Sequence, residues 1–340
     1  MFNVRLGHIA RLFRAFGMAA ALVVPTAAAG VSAARAADAS QGKKVAFLLT
    51  APTTPYPAVF AKAFLARAKH YGMNVTVLQQ TFDPAAQAQQ MADAIARKFD
   101  LIVVMPASEQ AIVPSLARAK QANIPVIMVN TPPYPGSEKY YVSFIGYDAH
   151  AMGVLSGQEM LEALKASGRD GGKIALITGS LQEGVASNRV KGIREALKAN
   201  PKAEIVAVED AQWDPVKSEK IAGQLYARFG SQGGLDLVYG MADNMATAAI
   251  KAAEAANIKP GLKSGELIVL GGNCQAVGIA AIKAGTMYGS VTQLPQVNGS
   301  QAVDLVNDYF AGKKLKKTYW LPIHKVTKQD LAKWDKPCSY

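Results

Sequence analysis

The sequence predicts an α/β protein made of two similar doubly wound parallel-sheet lobes joined by a three-segment hinge. Three observations lead to this fold class. Short apolar runs alternate with segments of helical periodicity, which is the pattern of a parallel sheet covered by helices on both faces. This alternation of five strands with their helices occurs twice along the chain. One more helix and one more strand then follow, which indicates that the chain returns to the first lobe before it ends.

The N-terminal segment, residues 1–36, has the composition of a secretory signal peptide. Three arginines and no acidic residue precede an apolar run over residues 15–31, and Ala34-Arg35-Ala36 matches a small-x-small cleavage pattern. A membrane anchor is the alternative, but Pro25 interrupts the run and small alanines dominate it. We therefore expect cleavage of this segment and export of a soluble mature chain.

The net charge of the chain indicates no particular partner. Residues 1–36 hold four of the 37 basic residues and none of the 25 acidic ones, so 33 remain against 25, a charge of +8. The lysines are scattered, and their densest group, residues 313–317, follows Gly312 in what reads as a solvated turn. We therefore expect no nucleic-acid partner.

The first lobe begins with residues 45–49, an apolar run typical of a strand buried on both faces. The other strands predicted for this lobe are residues 74–78, 101–105, 126–129 and 141–145. Two of the helices between them have recognisable start signals. Asp83 precedes Pro84 as an N-cap before an N1 proline, and Ser108 precedes a periodic run.

The second lobe repeats this arrangement. Its predicted strands are residues 173–178, 204–208, 235–239, 267–270 and 288–293. Its helices are expected to begin near Asp148, Gly184, Asp214-Pro215, Asp243 and Gln275. Because both the strand count and the Asp-Pro cap recur, two lobes are favoured over one continuous sheet.

The surplus elements, a helix over residues 297–310 and a strand over 319–326, predict the hinge. If the helix packs on the first lobe, the chain crosses between the lobes three times, near Gly146, Gln293 and Ile323. The predicted lobes are then residues 43–146 with 294–323, and residues 147–293 with 324–340. We expect two lobes joined in this way to close around a ligand.

The strand-edge loops lack the motifs of common enzyme classes. The loop over residues 50–57 has three prolines and no glycine, so its backbone is unsuited to wrapping a dinucleotide phosphate. The chain contains no P-loop, HExxH or GxSxG motif, and Gly271-Gly272 is not followed by a lysine. We therefore expect neither enzymatic activity nor a cofactor.

The two cysteines, Cys274 and Cys338, allow at most one disulfide, which an oxidising compartment permits. The sequence leaves open whether they pair. Neither cysteine lies at metal-ligand spacing from a histidine, so we expect no metal site.

Polar and aromatic side chains follow successive strands, at the sheet edge where open α/β proteins bind their ligands. They are Thr54, Tyr56, Asn130, Arg189, Trp213, Asp243, Asn273 and Gln293. Amides and arginine offer several donors and acceptors to vicinal hydroxyls, while aromatic rings cover the apolar faces of a small polyol. These residues therefore predict a binding cleft for a small carbohydrate.

Several of these residues also have a purely structural explanation. Arg189 could pair with a glutamate on a helix surface, and Trp213 could be a hydrophobic staple before a helix. Asp243 could serve only as an N-cap, and asparagines after strands, such as Asn130 and Asn273, are common turn residues.

Five stretches of the chain resemble periplasmic solute-binding proteins of the ribose-binding, type I class, the receptor subunits of sugar ABC transporters. They are TTPYPAVFAKAF (53–64), LIVVMPASEQAIVPSLARAKQANIPVIMVN (101–130), SNRVKGIREAL (187–197), YGMADNMATAAIKAA (239–253) and KAGTMYGSVTQLP (283–295). The resemblance covers nearly all of residues 43–330. It implies a monomer that delivers a small carbohydrate or polyol to an inner-membrane permease, with a chemoreceptor or sensor kinase as a further partner.

The resemblance also implies ligand contacts. Thr54 and Tyr56 match a polar and an aromatic contact in the first loop. Arg189 and Trp213 fall where the family uses an arginine and a stacking aromatic ring, and Gln293 matches a glutamine at the third crossing.

Three positions depart from the family pattern. The family has Asp-Arg where this chain has Asn130-Thr131, Asn-Asp where it has Ala242-Asp243, and aspartate where it has Asn273. Because amides replace carboxylates and remove charge-assisted hydrogen bonds, ribose itself is not implied. A pentose, a deoxy-sugar or a sugar alcohol is the expected ligand class.

Two other functions compete with transport. Sugar-responsive repressors share this two-lobe core, but they carry an N-terminal helix-turn-helix where this chain has a signal-like segment. A binding protein that serves only a chemoreceptor or sensor kinase, or one that binds a non-sugar molecule, remains open on the sequence.

Overall fold

The computed structural model describes residues 39–340, which form two six-stranded sheets flanked by helices. The predicted signal peptide, residues 1–36, lies outside the described residues. Over residues 39–340, none of the helices combines the length and apolarity needed to cross a membrane.

The two sheets share one strand order. The first sheet contains β1 (Lys44–Thr50), β2 (Asn74–Gln80), β3 (Leu101–Val104), β4 (Val126–Val129), β5 (Ser143–Gly146) and β11 (Thr318–Trp320). The second contains β6 (Gly172–Thr178), β7 (Ala203–Asp210), β8 (Leu237–Gly240), β9 (Ile268–Leu270), β10 (Gly289–Val291) and β12 (Lys325–Thr327). Their orders are β11-β5-β4-β3-β1-β2 and β12-β10-β9-β8-β6-β7, with every pairing parallel except that of β10 with β12. The two-lobe fold class is confirmed, and the first ten strands agree with prediction to within two residues at either end.

The helices alternate with the strands. They are α1 (Pro55–His70), α2 (Pro84–Ala96), α3 (Val113–Gln121), α4 (Ala149–Ala166), α5 (Gly184–Leu197), α6 (Pro215–Gly230), α7 (Asp243–Ala255), α8 (Ala276–Ala284), α9 (Pro295–Phe310) and α10 (Leu331–Trp334). The two Asp-Pro caps are confirmed, because the carboxylates of Asp83 and Asp214 each accept two backbone N–H bonds in the following first turn.

The predicted helix start at Ser108 is wrong. Helix α3 begins at Val113, whereas the Ser108 hydroxyl accepts from the Ala111 N–H in a turn that precedes the helix. Pro114 explains the later start, since proline fits best in the first turn of a helix, where its missing N–H is not needed.

The core of each lobe lies on both faces of its sheet, and strand β1 shows why. Its alternate side chains point to opposite faces. Phe47 stacks on Phe64 of α1 at a centroid distance of 4.4 Å, while Leu48 points to the other face and shares a cluster with Met91 of α2.

Helix α9 follows β10 of the second sheet but packs on α1 of the first lobe. Val303 and Val306 belong to the same buried cluster as Phe60. The two helices approach closely at Gly299, where a Cβ atom would lie only 2.4 Å from the carbonyl oxygen of Phe60. Helix α4 is its counterpart, since it follows β5 of the first sheet and packs on α5 of the second lobe.

The predicted single strand over residues 319–326 is wrong. The structure has two short strands here: β11 pairs in parallel with β5, and β12 pairs antiparallel with β10. Pro322 lies between them and has no backbone N–H to donate to a sheet ladder. The chain therefore changes sheets over residues 321–324, which include the crossing predicted near Ile323. The predicted lobe boundaries at single residues remain predictions.

Candidate ligand-binding site

A cleft that is partly open to solvent lies between the two sheets, beside the carboxyl ends of their strands. The first-lobe wall consists of Thr50, Thr54, Pro55, Tyr56, Pro57, Phe82, Met105 and Asn130. The second-lobe wall consists of Glu183, Val185, Trp213, Ala242, Asn244, Asn273 and Gln275, with Gln293 at the crossing. Six of the eight predicted site residues line this cleft, whereas Arg189 and Asp243 do not.

Arg189 lies beside the cleft and is not one of its lining residues, so its direct contact with a ligand stays a prediction. The side chain is 1% exposed. Its Nη1 atom donates to Asn273 Oδ1 at 2.8 Å and to the Met241 carbonyl at 3.0 Å, and its Nη2 atom donates to Gln293 Oε1 at 2.7 Å. A buried guanidinium needs acceptors for its fixed fork of donors, and two cleft-lining amides supply them.

The arginine determines how these amides are oriented. Because a guanidinium only donates, the side-chain oxygens of Asn273 and Gln293 must face Arg189. The Gln293 Nε2 atom then donates to Asn130 Oδ1 at 3.2 Å, which carries the chain of hydrogen bonds from the second lobe to the first. Within residues 39–340, Asn130 Nδ2 and Asn273 Nδ2 donate to no protein atom. These two N–H groups are therefore available to oxygen atoms of a ligand.

Both asparagines are also turn residues. Asn130 has a φ of 63° and directly follows β4. Asn273 has a φ of 77° and lies in the loop after β9. Asparagine tolerates this left-handed conformation better than most residues do. The structural and the ligand-binding explanations are thus compatible, because the turn is what points each amide into the cleft.

Trp213 is held in the second-lobe wall by contacts on several sides. Its Nε1 atom donates to Glu183 Oε2 at 2.9 Å, and the Arg189 guanidinium carbon lies 5.6 Å from the ring centroid. The ring packs against Gly179, where a Cβ atom would lie 1.9 Å from Trp213 Cε2. Since the side chain stays partly exposed, an aromatic surface remains for a ligand to cover.

Glu183 is a cleft residue that the sequence analysis did not single out as a ligand contact. It immediately precedes α5 and resembles an ordinary solvated helix-start residue, yet it is 5% exposed. Its Oε1 atom lies 3.3 Å from the hydroxyl of Thr131, which belongs to the first lobe. A second contact between the lobes lies next to it, because the Gly184 N–H donates to Glu109 Oε2 at 2.8 Å. Residues 183 and 184 therefore join the two lobes at the start of α5.

We predict that the free energy of unfolding falls as the pH rises from about 4.5 to about 7. Burial raises the pKa of Glu183 to about 7, against the opposing hydrogen bonds from Trp213 and Thr131. The folded chain keeps this proton where the unfolded chain has lost it, so the contribution is present at low pH and is lost as the pH rises through 7. At 1.4 kcal/mol per pKa unit, it is on the order of 3 kcal/mol.

Chemical denaturation at pH 5 and pH 8 measures the slope of the free energy of unfolding against pH. Glu183→Gln should reduce this slope. Glutamine can still accept from Trp213 and can donate to Thr131. The matched control is Glu254→Gln on the exposed face of α7, which should leave the slope unchanged. If Glu183→Gln leaves the slope unchanged as well, another group titrates.

The first loop places Thr54 and Tyr56 in the cleft, but both hydroxyls contact protein atoms. The Thr54 hydroxyl donates to the Ala51 carbonyl at 2.9 Å, and the Tyr56 hydroxyl accepts from Asn298 Nδ2 of α9 at 2.8 Å. Burial raises the pKa of Tyr56 well above its usual range, so this hydroxyl stays neutral. The Tyr56 ring also packs near Phe60, which fixes the loop on the first lobe.

Asp243 does not line the cleft, and its predicted ligand contact stays a prediction. The residue is fully buried, and its carboxylate accepts from the Ser290 hydroxyl at 2.7 Å and from the Gln275 N–H at 2.5 Å. Burial raises its pKa to about 7. The N-cap role is wrong, because Ala242 is the N-cap and Asp243 is the first residue of α7. The carboxylate instead joins the start of α8 to strand β10.

Other cleft residues were not predicted either, and four of them are informative. Asn244 and Gln275 lie at helix starts after strands, next to residues that were singled out, and the Asn244 N–H donates to Gln275 Oε1 at 2.9 Å. Their location at a helix start after a strand could have identified both amides as cleft residues from the sequence. Phe82 and Met105 had no such signal, because a polar-ligand hypothesis gives no reason to select apolar loop residues.

The C-terminal tail reaches the back of the site. Cys274 and Cys338 form a disulfide with a Cα–Cα distance of 5.2 Å. The hydroxyl of Tyr340 lies 2.6 Å from the Asn273 carbonyl and 2.9 Å from the Gln293 carbonyl, and it can donate to either. The tail thereby contacts the backbone of two residues whose amides line the cleft.

The groups gathered here suit reversible hydrogen bonding. In the part of the chain that the structure describes, no three His, Cys, Asp or Glu side chains are grouped so that they could hold a metal ion. The cleft offers amide donors, an amide acceptor, one buried carboxylate and an aromatic ring. That set can bind a neutral molecule rich in hydroxyl groups without charge neutralisation.

Comparisons with known proteins match the whole two-lobe unit. A family model described as periplasmic binding protein domain matches residues 45–314. The ribose import binding protein of Haemophilus influenzae is 25% identical over 294 residues, which is 86% of this chain and 94% of that protein. The crystal structure of a galactofuranose binding protein has a TM-score of 0.80 at 19% identity and covers 87% of this chain and 98% of its own. The Caulobacter myo-inositol binding protein bound to myo-inositol has a TM-score of 0.79 at 21% identity, with 86% and 96% covered. Because the family model matches most of the chain, the chain belongs to the periplasmic binding protein family and has the two-lobe fold of its type I class.

Proposed function

We propose that this protein captures a small carbohydrate in the periplasm and delivers it to the permease of an ABC transporter. The ligand class is a pentose, a deoxy-sugar or a sugar alcohol. The observation that carries the proposal is the chain of hydrogen bonds Arg189–Gln293–Asn130, which joins the lobes through amides that line the cleft.

The chemistry of the cleft supports binding and not catalysis. Asn130 and Asn273 each offer an N–H group to ligand oxygens, and the Trp213 ring can cover an apolar face of the ligand. The cleft pairs no nucleophile with a base in its described part, and Glu183 is held by Trp213 and Thr131. The similar proteins named above bind ribose, galactofuranose or myo-inositol according to their names, all of which are carbohydrates or polyols.

Closure of the lobes would enclose this ligand. The contacts Gln293–Asn130, Glu183–Thr131 and Gly184–Glu109 all join the two lobes around the cleft. They would form on closing and break on opening, so each contributes to the preference for the closed state. A closed and liganded monomer is the form that we expect the permease to recognise.

A thermal-shift screen of the mature chain against a panel of sugars and polyols tests the proposal. Ligand at a hundredfold excess over its dissociation constant should stabilise the folded chain by ~2.7 kcal/mol. Titration calorimetry of the best ligand with wild type and with Trp213→Ala should show weaker binding by the variant. If no member of the panel shifts the melting temperature, the carbohydrate proposal is wrong.

A further inference from the structure

The two walls of the cleft differ in chemistry. The first-lobe wall presents apolar atoms from Pro55, Pro57, Phe82 and Met105. The second-lobe wall presents mainly polar side chains, most of them amides. A ligand between these walls therefore meets more apolar surface on the first-lobe side. On the other side it meets most of the hydrogen-bonding groups together with the Trp213 ring.

The polar groups of the first-lobe wall are mostly engaged already. The Thr50 hydroxyl donates to the Met105 carbonyl at 2.7 Å and also receives a bond from Gln80 Nε2. The Thr54 hydroxyl donates to a carbonyl of its own loop. The Tyr56 hydroxyl accepts from an asparagine of α9, which leaves its own O–H as a donor. Among the described residues of this wall, Asn130 Nδ2 is the one amide N–H left for a ligand, and it lies next to the crossing at Gln293.

The second-lobe wall has the opposite character. The Asn244 Oδ1 atom is buried and, within residues 39–340, has no hydrogen-bond partner. The Asn244 backbone is fixed by its bond to Gln275, so the side chain stays at the cleft. A buried acceptor without a partner is costly, and a ligand hydroxyl that donated to it would remove this cost. Asn273 Nδ2 provides a donor in the same wall.

Phe82 is the residue of the first-lobe wall that most favours an apolar group on the ligand. It is half-buried in the loop after β2, and it belongs to none of the hydrophobic clusters that form the cores of residues 39–340. Phe82 and the buried Met105 both line the cleft, and a bound apolar group would shield both from water.

We propose that the ligand carries a deoxy carbon or methyl group that packs against Phe82 and Met105. This inference rests on the proposed carbohydrate function. The hydroxyls of the ligand are concentrated on the opposite edge, where Asn244 Oδ1 accepts from one of them and Asn273 Nδ2 donates to another. Phe82 and Asn244 are thus the residues that set specificity. A fully hydroxylated analogue would bury a hydroxyl against Phe82 without a partner, which weakens binding about tenfold or more.

Matched sugar pairs that differ in one hydroxyl test this assignment by titration calorimetry of the mature protein. Suitable pairs are L-fucose with L-galactose, D-fucose with D-galactose, and L-rhamnose with L-mannose. In the pair that binds best, the deoxy member should bind about tenfold or more tightly than its parent. Phe82→Asn should bring this ratio close to one, whereas Phe82→Leu should preserve it. Asn244→Ala should weaken both members of the pair equally, since the hydroxyl it contacts is common to both.

The outcomes separate this inference from the function on which it rests. If a fully hydroxylated sugar binds as tightly as its deoxy partner or more tightly, the inference is wrong and carbohydrate capture stands. If Phe82→Asn folds with an unchanged melting temperature and keeps the selectivity ratio, Phe82 does not set specificity. If neither these sugars nor the wider panel of carbohydrates and polyols binds, both proposals fail.

Discussion

Removal of the Cys274–Cys338 disulfide is expected to lower the free energy of unfolding by about 4 kcal/mol, on a loop-entropy estimate. The bond joins residues 64 positions apart, and a cross-link over that length restricts the unfolded chain strongly. Both cysteines are fully buried, so Cys274→Ala/Cys338→Ala removes the bond without burying new polar groups. Chemical denaturation of wild type and the double variant measures the difference.

The same experiment has a second readout at the cleft. Without the disulfide, the tail that brings Tyr340 to the carbonyls of Asn273 and Gln293 is less restrained. Carbohydrate affinity should therefore fall along with stability. Since these are the only two cysteines in the chain, a reductant acting on wild type should reproduce the loss of stability. A loss below about 1 kcal/mol would contradict the loop-entropy estimate for a cross-link of this length.

Replacement of Arg189 by methionine is expected to weaken carbohydrate binding about a hundredfold, or ~2.7 kcal/mol. Methionine fills part of the space but donates no hydrogen bond, so Asn273 Oδ1, Gln293 Oε1 and the Met241 carbonyl lose their donor. Each buried acceptor left unpaired costs ~1–3 kcal/mol, so the melting temperature should fall as well. The amides would also lose the orientation that presents their N–H groups to the cleft. Calorimetry with the carbohydrate that stabilises wild type best measures the affinity.

Two further variants separate orientation from charge. Arg189→Lys keeps the positive charge but cannot reproduce the planar fork, so it should also bind weakly. Arg194→Met, on an exposed position of the same helix, is the matched control and should leave affinity unchanged. Wild-type affinity in Arg189→Lys would contradict the proposal that the planar guanidinium orients the cleft amides.

Much of the architecture could be predicted because it depends on local patterns. The apolar run of β1 and the two Asp-Pro caps give strong signals within a few residues. The strand over residues 319–326 was predicted wrongly for a reason that is not local. The residues of this segment pair with partners in different sheets, and Pro322 separates the two pairings.

The candidate site was predictable only in part. Thr54, Tyr56, Asn130, Trp213, Asn273 and Gln293 line the cleft, and they were selected because each follows a strand. The strand-edge rule finds which residues are near the cleft, but it cannot find which of their atoms face it. That limit accounts for Arg189 and Asp243, whose side chains hydrogen-bond to protein groups, although Arg189 Nε has no partner within residues 39–340.

By itself, the sequence determined the two-lobe α/β fold and a cleft rich in amides and aromatic rings, because strand and helix periodicity and strand-end residue types are encoded locally. Only the tertiary structure decided the atomic roles at that cleft. Arg189 reaches Asn273 and Gln293 across 84 and 104 residues of sequence, and Glu183 meets Thr131 across 52. Such pairings depend on how the two sheets pack together, and burial then determines which polar groups are engaged by the protein and which remain for a ligand.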